Sequence, residues 1–596
     1  MHKLHYLQVI RKRIEGMNDR PALRGQHNGQ WQDVSWRQLG QQMDIIAQGL
    51  MALGHGEGDR VGILSPNQVA WTLADLGILA ARGVTVPLYA TNTLAQSQYV
   101  LKDAGIRILL VGDKEQFANA CQLLAQGELS HLIWLGDRLP QPCGDARILT
   151  LPQLLSRGDD AALAQARAER EARMDLSDLF TLVYTSGTTG EPKGVMLDFA
   201  NLAAAMEQHH RRVALNAEDV SLCMLPLSHI YERGWSFYML YCGVLNVYMS
   251  DPRQVMQVLN EVKPTLMCAV PRIYEKVYAQ IQAKVAAAPA WRRALFAWGC
   301  RLGAKVVARR QARERLPLWL SLSHGLVDRL IFRPIRARFG GRIRMLPIGG
   351  ARLADEVNRF FLGAGFPIKY GYGMTETLAT VSCWEDDSLP LGSTGRPMPG
   401  LQIRLGPDSE IQVKGPTMMR GYFNKPEATA EAFTEDGYLR TGDAGYLDVG
   451  GNLVFTERLK ELMKTSTGKY VAPQLVEGTL GKDRFIEQIA IIADARHYVS
   501  ALIVPCFQSL EEYARSIGVS YQNKAELLAN LKVKAFFEQR INELQQGLAK
   551  FEQVKAFTLL PRPFAMEKGE LTPTLKLRRK VIEQAFHLEI EAMYAK

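Results

Sequence analysis

The sequence predicts an α/β chain of two domains, a large N-terminal one over residues 1–457 and a small C-terminal α+β one over 458–596, and three observations carry that prediction. The 596 residues exceed what one small core can organise. "RVGILSPNQVAWTLADLGILAARGVTVPLY", residues 60–89, alternates strand-like and helix-like apolar patterns at β–α–β spacing, which implies a parallel sheet. From about residue 392 the pattern changes to short strands with frequent turns, and after 457–460 it returns to mixed helices and strands over a length that is domain-sized by itself.

Composition narrows the class. With 47% hydrophobic and 22% charged residues the chain is ordinary globular material. No window approaches the roughly 18 uninterrupted apolar residues of a membrane span. The start, "MHKLHYLQVIRKRIEG", has no apolar core of signal-peptide type, so a cytoplasmic location is expected. Eight cysteines form no C-x-x-C pair and no cluster with histidine, which disfavours a disulfide frame and a structural zinc site. They read as small buried hydrophobes.

In chain order, "IRILLVGD" adds a further buried strand to the first α/β part, and the Ala- and Arg-rich stretch 155–178 reads as a helix or spacer. Next comes "YTSGTTGEPKGV", 184–195, in which Thr185 to Gly190 carry either a hydroxyl or no side chain. It joins two strand-like runs, "LFTLVYT" and "GVML". Glycines let backbone amides close on an anion, and the hydroxyls with Lys193 add donors to phosphate oxygens. Neither Walker nor dinucleotide-loop spacing is met. A polyphosphate grip is the functional reading, and a flexible surface hairpin is its competitor.

Residues 284–344 hold fifteen Lys or Arg against only Glu314 and Asp328, +13 of the chain's net +10. Trp291, Trp298 and Trp319 are interleaved with aliphatic residues at roughly helical spacing, as in a helix lying on an anionic membrane surface. Solvated basic helices packed on the domain are an equal alternative, and nucleic-acid binding is disfavoured because no reading motif is present.

Further on, "PIGGARL" offers a close backbone edge. "YGYGMTET" sets Tyr372 for stacking, Thr375 for phosphate, and Glu376 as a hard oxygen ligand for Mg²⁺. Asp443 of "YLRTGD" suits two ribose hydroxyls, although an ordinary turn would also place it there. Near the end, "GELTPTLKLRRKVIEQAF" is read as opening a helix that carries Lys576, Arg578, Arg579 and Lys580 in its first turns. Cations oppose the helix dipole there, which invites an anionic partner from elsewhere.

Taken together these stretches resemble the adenylate-forming superfamily that contains acyl-CoA synthetases, and more closely its long-chain fatty acyl-CoA synthetases. The likeness runs in order through "YTSGTTGEPKGVML", "LPLSHIYERGW", "VPRIYEKV", "YGYGMTET", "GYFNKPEATAEAFTEDGYLRTGD", "ERLKELMKTSTGKYVAPQLVE" and "LTPTLKLRR". It implies a large adenylate-forming N-terminal domain and a small mobile C-terminal one. The substrates implied are ATP, coenzyme A and a fatty acid, with Mg²⁺. Thr185, Ser186, Gly187, Thr188, Thr189, Gly190 and Lys193 would hold the terminal phosphates, Thr188 and Lys193 being counted with the catalytic groups. Glu376 with a loop hydroxyl would place the metal. Gly350, Ala351, Tyr372, Gly373 and Thr375 would frame adenine and the neighbouring phosphate, and Asp443 with Arg458 would hold the ribose. Lys576 matches the catalytic lysine and Lys460 the hinge. His229 and Trp235 match the acyl pocket, and Gly468 matches the coenzyme A path. Two departures touch the pocket: Ile348 stands where a small hydroxyl residue is common, and Asp198-Phe-Ala-Asn201 where Thr-His-x-Asn is.

The reaction implied is acyl-AMP formation followed by transfer to coenzyme A. Its rivals are a ligase delivering its acyl-AMP to a carrier protein, a synthetase for aryl or other acids, and a non-catalytic peripheral lipid-binding protein. A peripheral position on the inner face of a membrane is a further expectation, and the oligomeric state is left open.

Overall fold

A computed structural model describes residues 4–185, 191–350, 353–386, 388–572 and 576–595, excluding the Lys460 side chain. Its centre is an eight-stranded sheet in the order Gly421–Tyr422, Lys193–Asp198, Leu179–Thr185, Val84–Leu88, Arg60–Leu64, Ile108–Val111, His131–Trp134 and Ile148–Thr150. From Leu179–Thr185 outward to Ile148–Thr150 the pairing is parallel throughout. These strands are covered on both faces, so they read as continuous apolar runs: Val61 and Ile63 enter one hydrophobic cluster and Leu64 the other. The expected β–α–β unit is the strand Arg60–Leu64, the helix Val69–Ala80 and the strand Val84–Leu88.

A five-stranded sheet carries Leu266–Met267, Val220–Cys223, Leu245–Tyr248, Pro21–His27 and Gln30–Ser35. Parallel bridges Leu266–Met345 and Ala269–Ile348 connect its edge to a further sheet begun by Leu346–Ile348 and Ile368–Tyr372. The β-rich section is an antiparallel sheet of Gln402–Leu405, Glu410–Lys414, Leu439–Leu447 and Leu453–Arg458.

After Arg458 a 3₁₀ turn, Leu459–Glu461, leads into a separate α+β unit. Its three-stranded sheet, Ile486–Ile492, Val499–Pro505 and Val554–Leu559, is buried on both faces by helices. Alternate residues explain this. Ile489 and Ile491 join one cluster, Ala490 and Ile492 the other, and every member of both clusters lies between Met463 and Met593.

Three local expectations need correction. The stretch 155–178 forms two helices, within Leu151–Gly158 and Ala161–Ala172, and the second has no fully buried residue. It is held by charge, through Arg11 with Asp44 and Glu171. All eight cysteines are free, but only Cys223, Cys242 and Cys268 are buried and Cys143 is exposed. The final basic helix begins at Arg579, so Lys576 lies before it. Arg579 is bound in bidentate fashion by Glu477, at 2.6 and 2.8 Å, so the anionic partner for that residue comes from within the C-terminal unit.

Candidate active site

The strand Leu179–Thr185 returns as the antiparallel strand Lys193–Asp198, with Thr185 paired to Lys193. The stretch is therefore a hairpin connection, as its apolar flanks require. Ser186, Gly187, Thr188, Thr189 and Gly190 lie outside the described residues, as does Ala351. Beside the loop, Tyr99 donates its hydroxyl to the Pro192 carbonyl at 3.1 Å.

A short strand, Gly421–Tyr422, pairs with the outer side of that hairpin and carries Tyr422 next to Lys193. The Lys193 Nζ lies 5.0 Å from the Tyr422 ring centre. The Tyr422 hydroxyl donates to Glu376 Oε1 at 2.9 Å. Glu376 stands in a 3₁₀ turn, Thr375–Thr377, whose three residues are all buried. Burial raises its pKa, with the Tyr422 hydrogen bond acting the other way. Met419 N–H donates to the Glu376 carbonyl at 2.8 Å, and Asn201 Nδ2 holds the same segment through the Pro416 and Met418 carbonyls. Asp198 caps the helix that bears Asn201, so the departure Asp198-Phe-Ala-Asn201 retains the cap and the tether.

Asp443 forms a second centre, almost wholly buried at 1% exposure. It accepts from the Tyr372 hydroxyl at 2.7 Å and from Arg458 Nε at 2.9 Å. Each of its oxygens retains acceptor capacity for a ligand hydroxyl. Tyr372 stacks on Phe455 with 5.9 Å between ring centres. The turn after it requires Gly373, because a Cβ there would stand 1.6 Å from the Ala379 carbonyl oxygen. Gly350 has φ +86°, which glycine accepts without strain.

Lys576 reaches this region from the C-terminal unit. Thr572 closes its loop, accepting from Lys576 N–H at 3.0 Å. The lysine is exposed to solvent. Desolvation and then Arg458 lower its pKa, while Glu461, Asp443 and Glu376 work in the opposite sense. It is within electrostatic reach of His229 as well, which burial and Lys576 bring down to about 4. His229 is therefore neutral at pH 7, and its Nδ1 accepts from Tyr231 N–H at 3.2 Å, capping the helix Ile230–Cys242.

Other expected residues lie farther from this centre. Trp235 is buried in the main core and donates Nε1–H to Ser221 Oγ at 3.1 Å. Gly468 is a turn residue with φ +79° in the hairpin joining Met463–Lys464 to Tyr470–Val471. Lys460 belongs to the 3₁₀ turn that directly follows Arg458.

Two residues the sequence reading did not single out organise the site. Tyr422 links Lys193 to Glu376. Arg233 forms a buried bidentate pair with Asp75, at 2.9 and 2.7 Å, and donates to Thr181 Oγ1 at 2.6 Å. It pins the helix capped by His229 to the central sheet. Its signal was a charged residue inside the apolar run after "SHIYE". Losing one partner of such a pair costs about 3–5 kcal/mol.

Among the described residues no group of three or more His, Cys, Asp or Glu is arranged to hold a metal ion. Glu376, a buried carboxylate, fits the mode in which Mg²⁺ takes one carboxylate and fills its other positions with substrate phosphates and water. Lys193, the buried carboxylates Glu376 and Asp443, and Lys576 from the C-terminal unit make up the candidate site.

Comparison with known proteins identifies the family. Residues 10–423 match the family described as AMP-binding enzyme, and residues 460–596 match the AMP-binding enzyme C-terminal domain. The chain belongs to the AMP-binding enzyme family. It is 33% identical over 577 residues to "Long-chain-fatty-acid--CoA ligase FadD15" of Mycobacterium bovis, covering 96% of this chain and 93% of that protein. It is 31% identical to "Long chain acyl-CoA synthetase 7, peroxisomal" of Arabidopsis thaliana, covering 94% of this chain and 82% of that one. In fold it is similar to the adenylation domain of a carboxylate reductase from Mycobacterium chelonae, with a TM-score of 0.78, 23% identity, and coverage of 100% of this chain and 92% of the other.

Proposed function

We propose that the chain is an ATP- and Mg²⁺-dependent ligase that activates a long-chain fatty acid as acyl-AMP and transfers the acyl group to coenzyme A. The observation that carries this is Lys576, contributed by the C-terminal unit, standing within electrostatic reach of Glu376, Asp443, Arg458 and His229. The names of the relatives above support the fatty acid and coenzyme A.

A carboxylate is a poor electrophile, and two anions must meet for it to be activated. Its oxygen attacks the α-phosphorus of ATP, the bond to the bridging oxygen breaks, and pyrophosphate leaves. No side-chain nucleophile is required. The chain's task is to position the reactants and neutralise charge. Lys193 and the loop amides bind the terminal phosphates, Asp443 with Arg458 orients the ribose, and Lys576 faces the charge that develops at the carboxylate and the α-phosphate. When bound, Mg²⁺ held by Glu376 and the phosphates would supply further neutralisation. In the second step the coenzyme A sulfur attacks the acyl carbon, AMP leaves with the carbon–oxygen bonding pair, and the thiol proton goes to water.

The second step needs a different acceptor face at the same centre, which a rotation about Lys460 would provide, with Gly468 then on the pantetheine path. On this reading the chain divides at 457/458. An arrangement in which Lys576 reaches the site suits the first step.

A peripheral position on an anionic membrane face agrees with the basic segment 284–344. Among the described residues no helix is long and apolar enough to cross a membrane.

Pyrophosphate release measured over a series of acids, with and without coenzyme A, tests the assignment. Release that is greatest with long-chain acids, and thioester that forms only with coenzyme A, is the expected result. Thioester on a carrier protein but not on coenzyme A would overturn the acceptor.

A further inference from the structure

The basic segment folds differently from one amphipathic surface helix. The helix Ala290–Gln311 buries Phe296, Leu302, Val306 and Val307, and Trp298 is half-buried with them. The helix after it, Leu318–Val327, with the π turn Asp328–Phe332, behaves otherwise. It is seated on the fold by Leu320, Val327 and Phe332, each at most 1% exposed, and His324 Nε2 lies 3.0 Å from the Gly363 carbonyl oxygen. Its other side turns leucines outward: Leu318 is 83% exposed, Leu322 75%, Leu326 54% and Leu330 56%, with Trp319 at 57% beside them. Steps of four along a helix put such residues in one stripe. Single exposed apolar side chains are normal in soluble proteins, whereas five along one short element form a patch that marks a binding surface.

The surroundings say what covers it. Arg310, Arg313, Arg315, Arg329 and Arg333 are exposed around the stripe, and Lys305 lies 5.8 Å from the Trp319 ring centre. The two acidic residues of the segment are already engaged, Glu314 by Arg309 at 2.5 Å and Asp328 by Arg336 at 2.6 Å. A second copy of the chain would bring +13 against +13, whereas an anionic bilayer offers hydrocarbon for the leucines and opposite charge for the arginines.

We propose that Leu318–Phe332 is the element that docks the enzyme on anionic lipid, with Leu318, Trp319, Leu322, Leu326 and Leu330 entering the acyl boundary and the flanking arginines meeting headgroup phosphates. This rests on the peripheral-membrane reading above and is independent of the catalytic one.

The test is co-sedimentation of the full chain with phosphatidylcholine vesicles, with and without phosphatidylglycerol. The wild type is expected to sediment with the anionic vesicles and L322Q/L326Q to bind them at least about tenfold more weakly, since both leucines lose their burial in hydrocarbon. R329E/R333E weakens binding and flattens its salt dependence. Both variants keep the wild-type melting temperature and wild-type adenylate formation with a short soluble acid. A wild type that ignores anionic vesicles at low salt overturns the peripheral reading itself. Equal binding by wild type and L322Q/L326Q overturns only the docking element. A wild-type dimer that L322Q/L326Q converts to monomer in sedimentation velocity, with vesicle binding unchanged, assigns the stripe to a second copy instead.

Discussion

The Tyr422 hydroxyl donates a 2.9 Å hydrogen bond to the buried carboxylate of Glu376 while the face of the same ring lies under Lys193. One residue on a two-residue edge strand thereby contacts both Lys193 and Glu376. Tyr422→Phe keeps the ring and removes the donor. A hydrogen bond to a charged group contributes about 1.5 kcal/mol or more, so adenylate formation should slow about tenfold. The lost bond also raises the Glu376 pKa further, and the acid limb of the rate should move to higher pH. A wild-type rate with an unmoved acid limb would show that the bond only packs the loop.

Lys576→Ala and Glu376→Ala should each abolish or greatly slow acyl-AMP formation in single-turnover assays without unfolding the protein. Desolvation and then Arg458 lower the Lys576 pKa below its usual 10.5. The cation is lost as pH rises through that lowered value, so the wild-type adenylation rate should decline at lower pH than an ordinary lysine would impose. Either variant forming adenylate at the normal rate would remove that residue from the mechanism.

Lys460→Pro separates the half-reactions. Proline fixes φ near −65°, so a rotation through the 3₁₀ turn Leu459–Glu461 is blocked. The arrangement that turns Lys576 to the site should persist, so acyl-AMP should form while thioester does not. Acyl-AMP formation and thioester formation from supplied acyl-AMP are measured separately. Parallel losses would mean that the substitution merely disturbs local structure and that the hinge lies elsewhere.

Glu232, fully buried three residues after His229, is pushed up to about 8 by desolvation. Its folded pKa lies above the ordinary carboxyl value of 4.5, so between pH 4.5 and 8 the folded chain keeps a proton that the unfolded chain has lost. The stability it contributes is full below that window and declines as pH rises through it. Glu232→Gln lacks this decline and should gain on the order of a few kcal/mol relative to wild type between pH 5 and pH 8, read by urea unfolding at both. Identical pH dependence in the two proteins would mean that the carboxyl ionises normally in the folded state.

Much was legible because it is local. The hairpin around 184–195 follows from two β-branched runs that must pair, and "RVGIL…VTVPLY" follows from strands covered on both faces. The expected boundary near 457–460 rests on the same kind of signal, a change of apolar period.

What needed the tertiary structure are relations between segments whose sequences say nothing of each other. Tyr422 meets Glu376 across 46 positions, and Arg233 meets Asp75 across 158. No periodicity encodes such pairs, because burying a charge or hydroxyl is tolerable only where a partner arrives from elsewhere in the fold. The basic segment shows the limit most plainly. Its composition fixed a charge of +13, yet which apolar side chains turn inward depended on the helices packed against it: Trp298 found a partner and the stripe from Leu318 to Leu330 did not. Apolar content is a property of the sequence alone, whereas exposure is decided by which surfaces the completed fold leaves uncovered.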